Sequence, residues 1–209
     1  MTGKSARAFT LIELLTVIAI IAVVTALLFP VMQRARMQSQ KDVCLSNLHQ
    51  LGSAIALYAA DYDGKIPYAA DVFDKASDIE NGGDGSSLDQ LLKIIPDIRT
   101  ALQPYKASQP LFHCPLDRFI LSQSESQPDG KMSWFDKYGS SYAYDQKHAL
   151  AGRDLAQYPS SAQNLLMWDY ESFHVPNIGP DGMLGALFAD MHVKTITWQQ
   201  RTEALKADP

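Results

Sequence analysis

The chain has 209 residues, a formal charge of −5 and 46% hydrophobic residues, enough for one compact domain with an accessory segment and too few for two domains with sizeable cores. Lys4 and Arg7 fall in a leading stretch without acids, so the rest of the chain is more acidic still and a poor generic binder of nucleic acid. Its two cysteines, Cys44 and Cys114, form no CxxC and suggest neither a zinc knuckle nor a thioredoxin-type redox pair, leaving room for a single structural disulfide.

The apolar residues crowd the N-terminus. Residues 9–32 contain one charge, Glu13, and are flanked by Lys4 and Arg7 before and by Arg34 and Arg36 after. A helix rising about 1.5 Å per residue crosses a hydrocarbon core of roughly 30 Å over such a length. A cleaved secretory signal would end its apolar region at a small-residue site, and none follows Phe29 before the basic stretch, so the segment is expected to stay with the chain. Glu13 then needs a reason, because a carboxylate in an apolar span is costly and the N-terminal helix dipole returns only about 0.3 to 1 kcal/mol.

The run Arg7-Ala8-Phe9-Thr10-Leu11-Ile12-Glu13-Leu14-Leu15 resembles the processing and methylation site of type IV prepilins and type II secretion pseudopilins. The resemblance implies that a prepilin peptidase cuts between Ala8 and Phe9, that the new Phe9 amine is N-methylated, and that Glu13 supports filament assembly. Pro30, late in the apolar helix, also fits the family, whereas Ala8 departs from it, since glycine usually precedes the cut. The resemblance further implies an α+β, pilin-like fold: leader 1–8, transmembrane and filament-core helix 9–32, and a globular head 33–209 that includes an amphipathic second half of the helix, 33–62. The N-terminus would be cytoplasmic, and the head periplasmic or extracellular. Expected partners are other pilin subunits, the prepilin peptidase, an inner-membrane assembly platform and membrane lipid. No cofactor is implied. An extracytoplasmic head is oxidised, so Cys44 and Cys114 are expected to pair, with two buried free thiols as the alternative.

Beyond the apolar span, Cys44, Leu48, Leu51, Ile55, Tyr58 and Tyr62 recur at spacings of four and three, which places them on one face of a continuing helix. The other side carries Gln40, Lys41, Asp42, Asn47, Gln50 and Ser53, so the apolar strip is read as packing on a head domain. The stretch Asp61-Tyr62-Asp63-Gly64-Lys65-Ile66-Pro67 holds a glycine stop and a proline that prevents resumption, giving one helix from Thr10 to Tyr62.

Residues 69–87 are rich in Asp, Gly and Ser and read as an exposed loop, with 88–102 helical around Pro96. Asp78, Glu80, Asp84 and Asp89 are candidate oxygen ligands for calcium, against the alternative of a solvated loop, and their spacing misses the EF-hand template. In the C-terminal half, residues 164–169, 183–189 and 193–198 alternate as strands do, and an antiparallel sheet on the helix is the natural architecture.

Segments 44–67, 102–117, 141–145, 159–169 and 187–194 resemble pilin-like proteins with the prepilin-type processing-associated C-terminal domain. That group ends in a histidine, nine residues, Asp-Gly and His-Val. Here Pro180 stands at the histidine position and Met191 at the glycine position, while Asp190, His192 and Val193 match. A methionine takes the positive φ of an Asp-Gly turn at a cost, so the hairpin at Asp190 is expected to use another turn type.

The histidines His49, His113, His148, His174 and His192 share no metal-ligand spacing, and no metal is assigned. Asp169 with Glu171, and Asp61 with Asp63, are the carboxylate pairs that catalysis could use, but no GxSxG elbow or phosphate loop accompanies them, so no enzyme is expected. The leading expectation is a structural subunit of a type IV pilus or type II secretion pseudopilus. Its rival is a membrane-tethered binding module for polysaccharide or protein, for which Tyr58, Tyr62, Tyr68 and the other aromatic side chains would supply the surface.

Overall fold

The structure is a computed structural model that describes residues 10–81, 85–118, 133–150, 152–157, 162–174 and 182–207. It comprises two compact units, Met1–Ser39 and Gln40–Pro209.

Helix α1 (Leu11–Asp61) begins in the first unit. Its start is set by Thr10, whose side chain accepts from the Glu13 N–H at 3.3 Å while the Glu13 carboxylate accepts from the Thr10 N–H at 2.9 Å, the reciprocal pair of a capping box. From Leu11 to Met32 the large apolar side chains are all exposed, Leu11 at 84% and Met32 at 65%. Pro30 lies inside the helix, where it withholds one backbone donor.

In the second unit the remainder of α1 buries Cys44, Leu48, Leu51, Gly52, Ala54, Ile55 and Ala59. Asn47, read from sequence as part of the polar side, is also buried, because its amide donates to the His113 carbonyl at 2.9 Å. Tyr62 is exposed instead. The helix ends where Gly64 N–H returns to the Ala59 carbonyl at 2.8 Å, with Asp63 at φ 53° and Gly64 at φ 81°, the left-handed termination that exposed last-turn carbonyls favour.

The expected loop over 69–87 is corrected by helix α2 (Val72–Asn81). Asp71 accepts from Phe73 N–H at 2.9 Å and Asp74 N–H at 3.3 Å, an N-cap that composition alone did not reveal. Helices α3 (Ser87–Ile94) and α4 (Ile98–Leu102) break on either side of Pro96, and Asp97 caps α4 through Arg99 N–H and Thr100 N–H. Helix α5 (Trp134–Tyr138) starts at a Ser133–Asp136 capping box.

Strands β1 (Tyr142–Tyr144), β2 (Leu165–Asp169), β3 (Met183–Phe188) and β4 (Val193–Thr197) form an antiparallel sheet in sequence order, with helix α6 (Gln146–Leu150) between β1 and β2. Pairs such as Tyr142 with Asp169, Trp168 with Ala186 and Leu187 with Val193 fix the register. Every residue of β2 is buried, so both of its faces must be covered. One face joins α1 through Met167 and Leu187 with Leu48, Leu51 and Ile55. The other gathers Leu165, Trp168, Leu184, Phe188 and Ile196 beneath helix α7 (Trp198–Ala207), a C-terminal helix that the sequence pattern did not announce.

The expectation of a different turn at Asp190 is overturned as well. Met191 takes φ 69°, and its N–H donates to the Phe188 carbonyl at 2.9 Å, the pattern of a three-residue hairpin closed by a left-handed residue. The Met191 side chain is partly buried against the core that includes α1, and that packing offsets part of a left-handed cost of about 1 to 2 kcal/mol.

Candidate functional site

Two places carry the candidate chemistry. In the first unit, Ala8 and Phe9 lie outside the described residues, so the site is represented by Thr10 and Glu13. Glu13 Oε2 also accepts from the Thr10 hydroxyl at 2.7 Å, so that among the described residues the exposed carboxylate is held by groups of its own first turn. Further along, Thr16 and Thr25 return their hydroxyls to the Glu13 and Ile21 carbonyls at 3.0 and 2.8 Å. Such internal satisfaction suits a helix surrounded by hydrocarbon or by other apolar helices, where an unbonded hydroxyl would be costly. Among the described residues, α1 is the one helix long and apolar enough to cross a membrane, and none of that apolar stretch is buried.

In the head, Cys44 of α1 and Cys114 are joined by a disulfide, with Cα atoms 4.8 Å apart. Around it, Tyr142 donates its hydroxyl to the Cys44 carbonyl at 3.3 Å and Cys114 N–H donates to the Ser141 hydroxyl oxygen at 3.0 Å. Ser141 in turn donates to Asp117 at 2.7 Å, and the Asp117 carboxylate receives the Trp134 and Phe135 N–H groups at the start of α5. The disulfide therefore sits in a polar frame that ties α1, the Cys114 segment, α5 and β1 together.

Against the same disulfide lie two groups that sequence spacing did not connect. The imidazole Nε2 of His174 is 3.7 Å from Cys114 Sγ and 3.3 Å from Asp169 Oδ2, and both side chains are fully buried. Asp169 also accepts the Gly185 N–H. Burial pushes the Asp169 carboxyl well above its ordinary range, and burial together with the charge of Lys41 pulls His174 down to about 4. Gly185 makes the space: a Cβ there would come within 3.2 Å of the imidazole and 2.9 Å of Leu48. The one available signal was the strand alternation that turns Asp169 inward, and nothing in the spacing of His174 pointed to the disulfide.

A second buried carboxylate, Asp71, organises the opposite side of the head. Besides its N-cap bonds it accepts from Tyr144 N–H and the Tyr170 hydroxyl, both at 2.7 Å. Burial nevertheless raises its carboxyl to about 6. Trp134 and Tyr170 stack 4.5 Å apart, with Phe73 edge-on to both, so these aromatic groups are core.

The remaining candidates are dispersed. Asp78 and Glu80 lie two residues apart on α2, positions that do not face one another on a helix, and Asp84 and the Asp89 side chain are outside the described residues. His113 packs on Phe135, and His192 stacks on Phe188 beside Asp190 on the β3–β4 hairpin. Pro180 and the His148 side chain are likewise outside the described residues. Asp169, of the Asp169–Glu171 pair, has no exposed surface, and Asp61 receives the Tyr105 hydroxyl at 3.0 Å. Tyr58 and Tyr62 stack at 4.2 Å on the flank of α1.

With this geometry in place, the class is defined at the N-terminus. Residues 3–29 match the family model described as the prokaryotic N-terminal methylation motif. The chain thus carries a prepilin-type signal, and its long N-terminal helix followed by a head with a four-stranded antiparallel sheet fits a pilin or pseudopilin. A single N-terminal apolar helix with this motif fits a single-pass, membrane-anchored protein, a prepilin peptidase substrate that assembles with other pilin subunits. The motif points to a structural subunit and not to an enzyme. No curated protein and no solved structure matches the chain.

Proposed function

We propose that the chain is a structural subunit of a type IV pilus or a type II secretion pseudopilus, processed between Ala8 and Phe9 and assembled through its N-terminal helix. The observation that carries this reading is the methylation motif over residues 3–29 together with a helix whose large apolar side chains, from Leu11 to Met32, are exposed among the described residues. In the cytoplasmic membrane lipid covers that surface, with the head on the periplasmic side. In a filament the same surface packs on neighbouring helices, with the head on the cell surface or in the periplasm.

Cleavage creates a new amine at Phe9, and methylation preserves its positive charge. Glu13 stands one helical turn further on. Among the described residues its carboxylate is held by Thr10, so exchanging that partner for an ammonium costs only local bonds. Inside a filament core both charges lose water and must pair. The inner-membrane assembly platform would deliver the subunit, and no nucleic acid takes part.

Mass spectrometry of the mature chain from its own host tests the reading. An N-methylated Phe9 terminus is expected. A mature chain that still begins at Met1, or that begins after Phe29, would overturn it.

A further inference from the structure

We propose that the disulfide core of the head is a second-state metal site: when Cys44 and Cys114 are reduced, their thiolates, with His174 and Asp169, bind one thiophilic divalent cation of the zinc class.

The donor atoms of Cys44, Cys114 and His174 all lie within 4.8 Å of one another. Zinc bonds of about 2.3 Å to sulfur and about 2.0 to 2.1 Å to nitrogen or oxygen, arranged as a tetrahedron, place nitrogen and sulfur ligands about 3.6 Å apart and nitrogen and oxygen ligands about 3.3 Å apart. The separations from His174 Nε2 to Cys114 Sγ and to Asp169 Oδ2 are 3.7 and 3.3 Å. Two edges of the tetrahedron are therefore already in place around one imidazole nitrogen. The sulfur–sulfur edge, about 3.8 Å in such a site, can open only once the bond between the two side chains is broken, and closing the remaining edges requires Cys44 and Asp169 to shift toward the common centre.

The atoms of Asp169 and His174 that would not ligate the cation are unpaired as well. Asp169 Oδ1 and His174 Nδ1 are buried with no hydrogen-bond partner among the described residues. An acid and an imidazole beside a disulfide, each with an orphaned atom, are a costly way to fill a core.

The chemistry balances. Two thiols, or one phosphine with one water, supply two electrons and two protons and become a disulfide or a phosphine oxide, and the Cys44–Cys114 bond becomes two thiols. The cation then displaces one proton from each thiol and one from the Asp169 carboxyl, while His174 binds as neutral imidazole through Nε2. The outcome is a head whose helix α1 remains clamped to the Cys114 segment under reducing conditions, by a metal where the covalent bond has gone. This inference does not depend on filament assembly.

The test uses the full chain in detergent micelles, reduced by a phosphine under inert gas, freed of excess reductant and titrated with cobalt(II). One cobalt per chain is expected, with thiolate-to-metal charge-transfer absorption and the intense visible bands of a tetrahedral site, all displaced by zinc. The unreduced chain should give none of these signals. Asp169→Asn should weaken binding and shift the visible bands, and His174→Ala should abolish the tetrahedral spectrum. Zinc should also raise the melting transition of the reduced chain, or restore it if reduction alone unfolds the head, since metal affinity would then appear as folding. If the reduced chain binds no more cobalt than Cys44→Ser and zinc leaves its melting unchanged, the proposal is overturned whether or not the reduced head is folded.

Discussion

The first unit and the head are both rich in apolar residues, yet they use them in opposite ways. Between Leu11 and Met32 every large apolar side chain is exposed, whereas Leu48, Leu51 and Ile55, further along the same helix, are completely buried. The difference is periodicity. In the first stretch apolar residues occupy all faces, a pattern that a single sheet cannot cover and that suits a helix surrounded on every side by apolar material. In the second they occupy one stripe, which one sheet can cover. An apolar helix thus reports its surroundings through the width of its apolar face rather than through its average hydropathy.

The largest effect that would break this comparison lies in the first unit. Glu13→Ala should leave cleavage after Ala8 intact while reducing sheared surface filament, or secretion output, to near background. Equal assembly by the variant would reduce Glu13 to the helix-capping acid seen with Thr10. In the head, Cys114→Ser removes a link closing a loop of 70 residues. It should lower stability by roughly 4 kcal/mol in the chain-entropy model, read by thermal unfolding of the oxidised proteins, while leaving membrane insertion of the first unit unchanged.

A subtler effect is the pH dependence carried by Asp71. Its carboxyl titrates at about 6 in the folded head against 3.8 for the ordinary group, so the folded state holds more protons between those values and stability falls as pH rises through that window. Comparing unfolding curves of wild type and Asp71→Asn between pH 4 and 6 should show this slope lost in the variant. The variant should also be less stable overall, because an amide accepts fewer of the four donors that converge on Asp71. A slope unchanged by the substitution would place the titration elsewhere.

The smallest effect is expected at the hairpin. Met191→Gly removes a left-handed strain of about 1 to 2 kcal/mol but gives up the packing of a partly buried methionine against the core, so the two nearly cancel and a change within about 1 kcal/mol is expected. A clear gain in melting temperature would mean that the Met191 side chain contributes little to the core against α1.

Local pattern was enough for α1, for its stop at Gly64 and for strands β2 to β4, because each is written in residues close together in sequence. Helix α2 escaped because the cap at Asp71 was hidden in a segment whose glycine, serine and acid content resembles a loop. Helix α7 escaped because Trp198 and Ala204, its contacts to the sheet, give it only a narrow apolar stripe. At the N-terminus the prepilin-type motif was legible because it is a linear stretch that needs no long-range contact. The contacts of His174 were invisible, because its neighbours Cys114 and Asp169 arrive from separate elements.

The sequence by itself determined an apolar helix with a prepilin-type start, a carboxylate near its beginning, a stripe for packing on a head and an antiparallel sheet to receive it. These depend on side-chain period and on a short linear motif, which need no long-range contact. Only the tertiary structure decided that a buried acid and imidazole meet at the Cys44–Cys114 bond, that Asn47 turns inward to the His113 carbonyl, and that a methionine holds a left-handed turn. Each of these carries a desolvation or backbone cost that becomes acceptable only when groups distant in the chain pack against it.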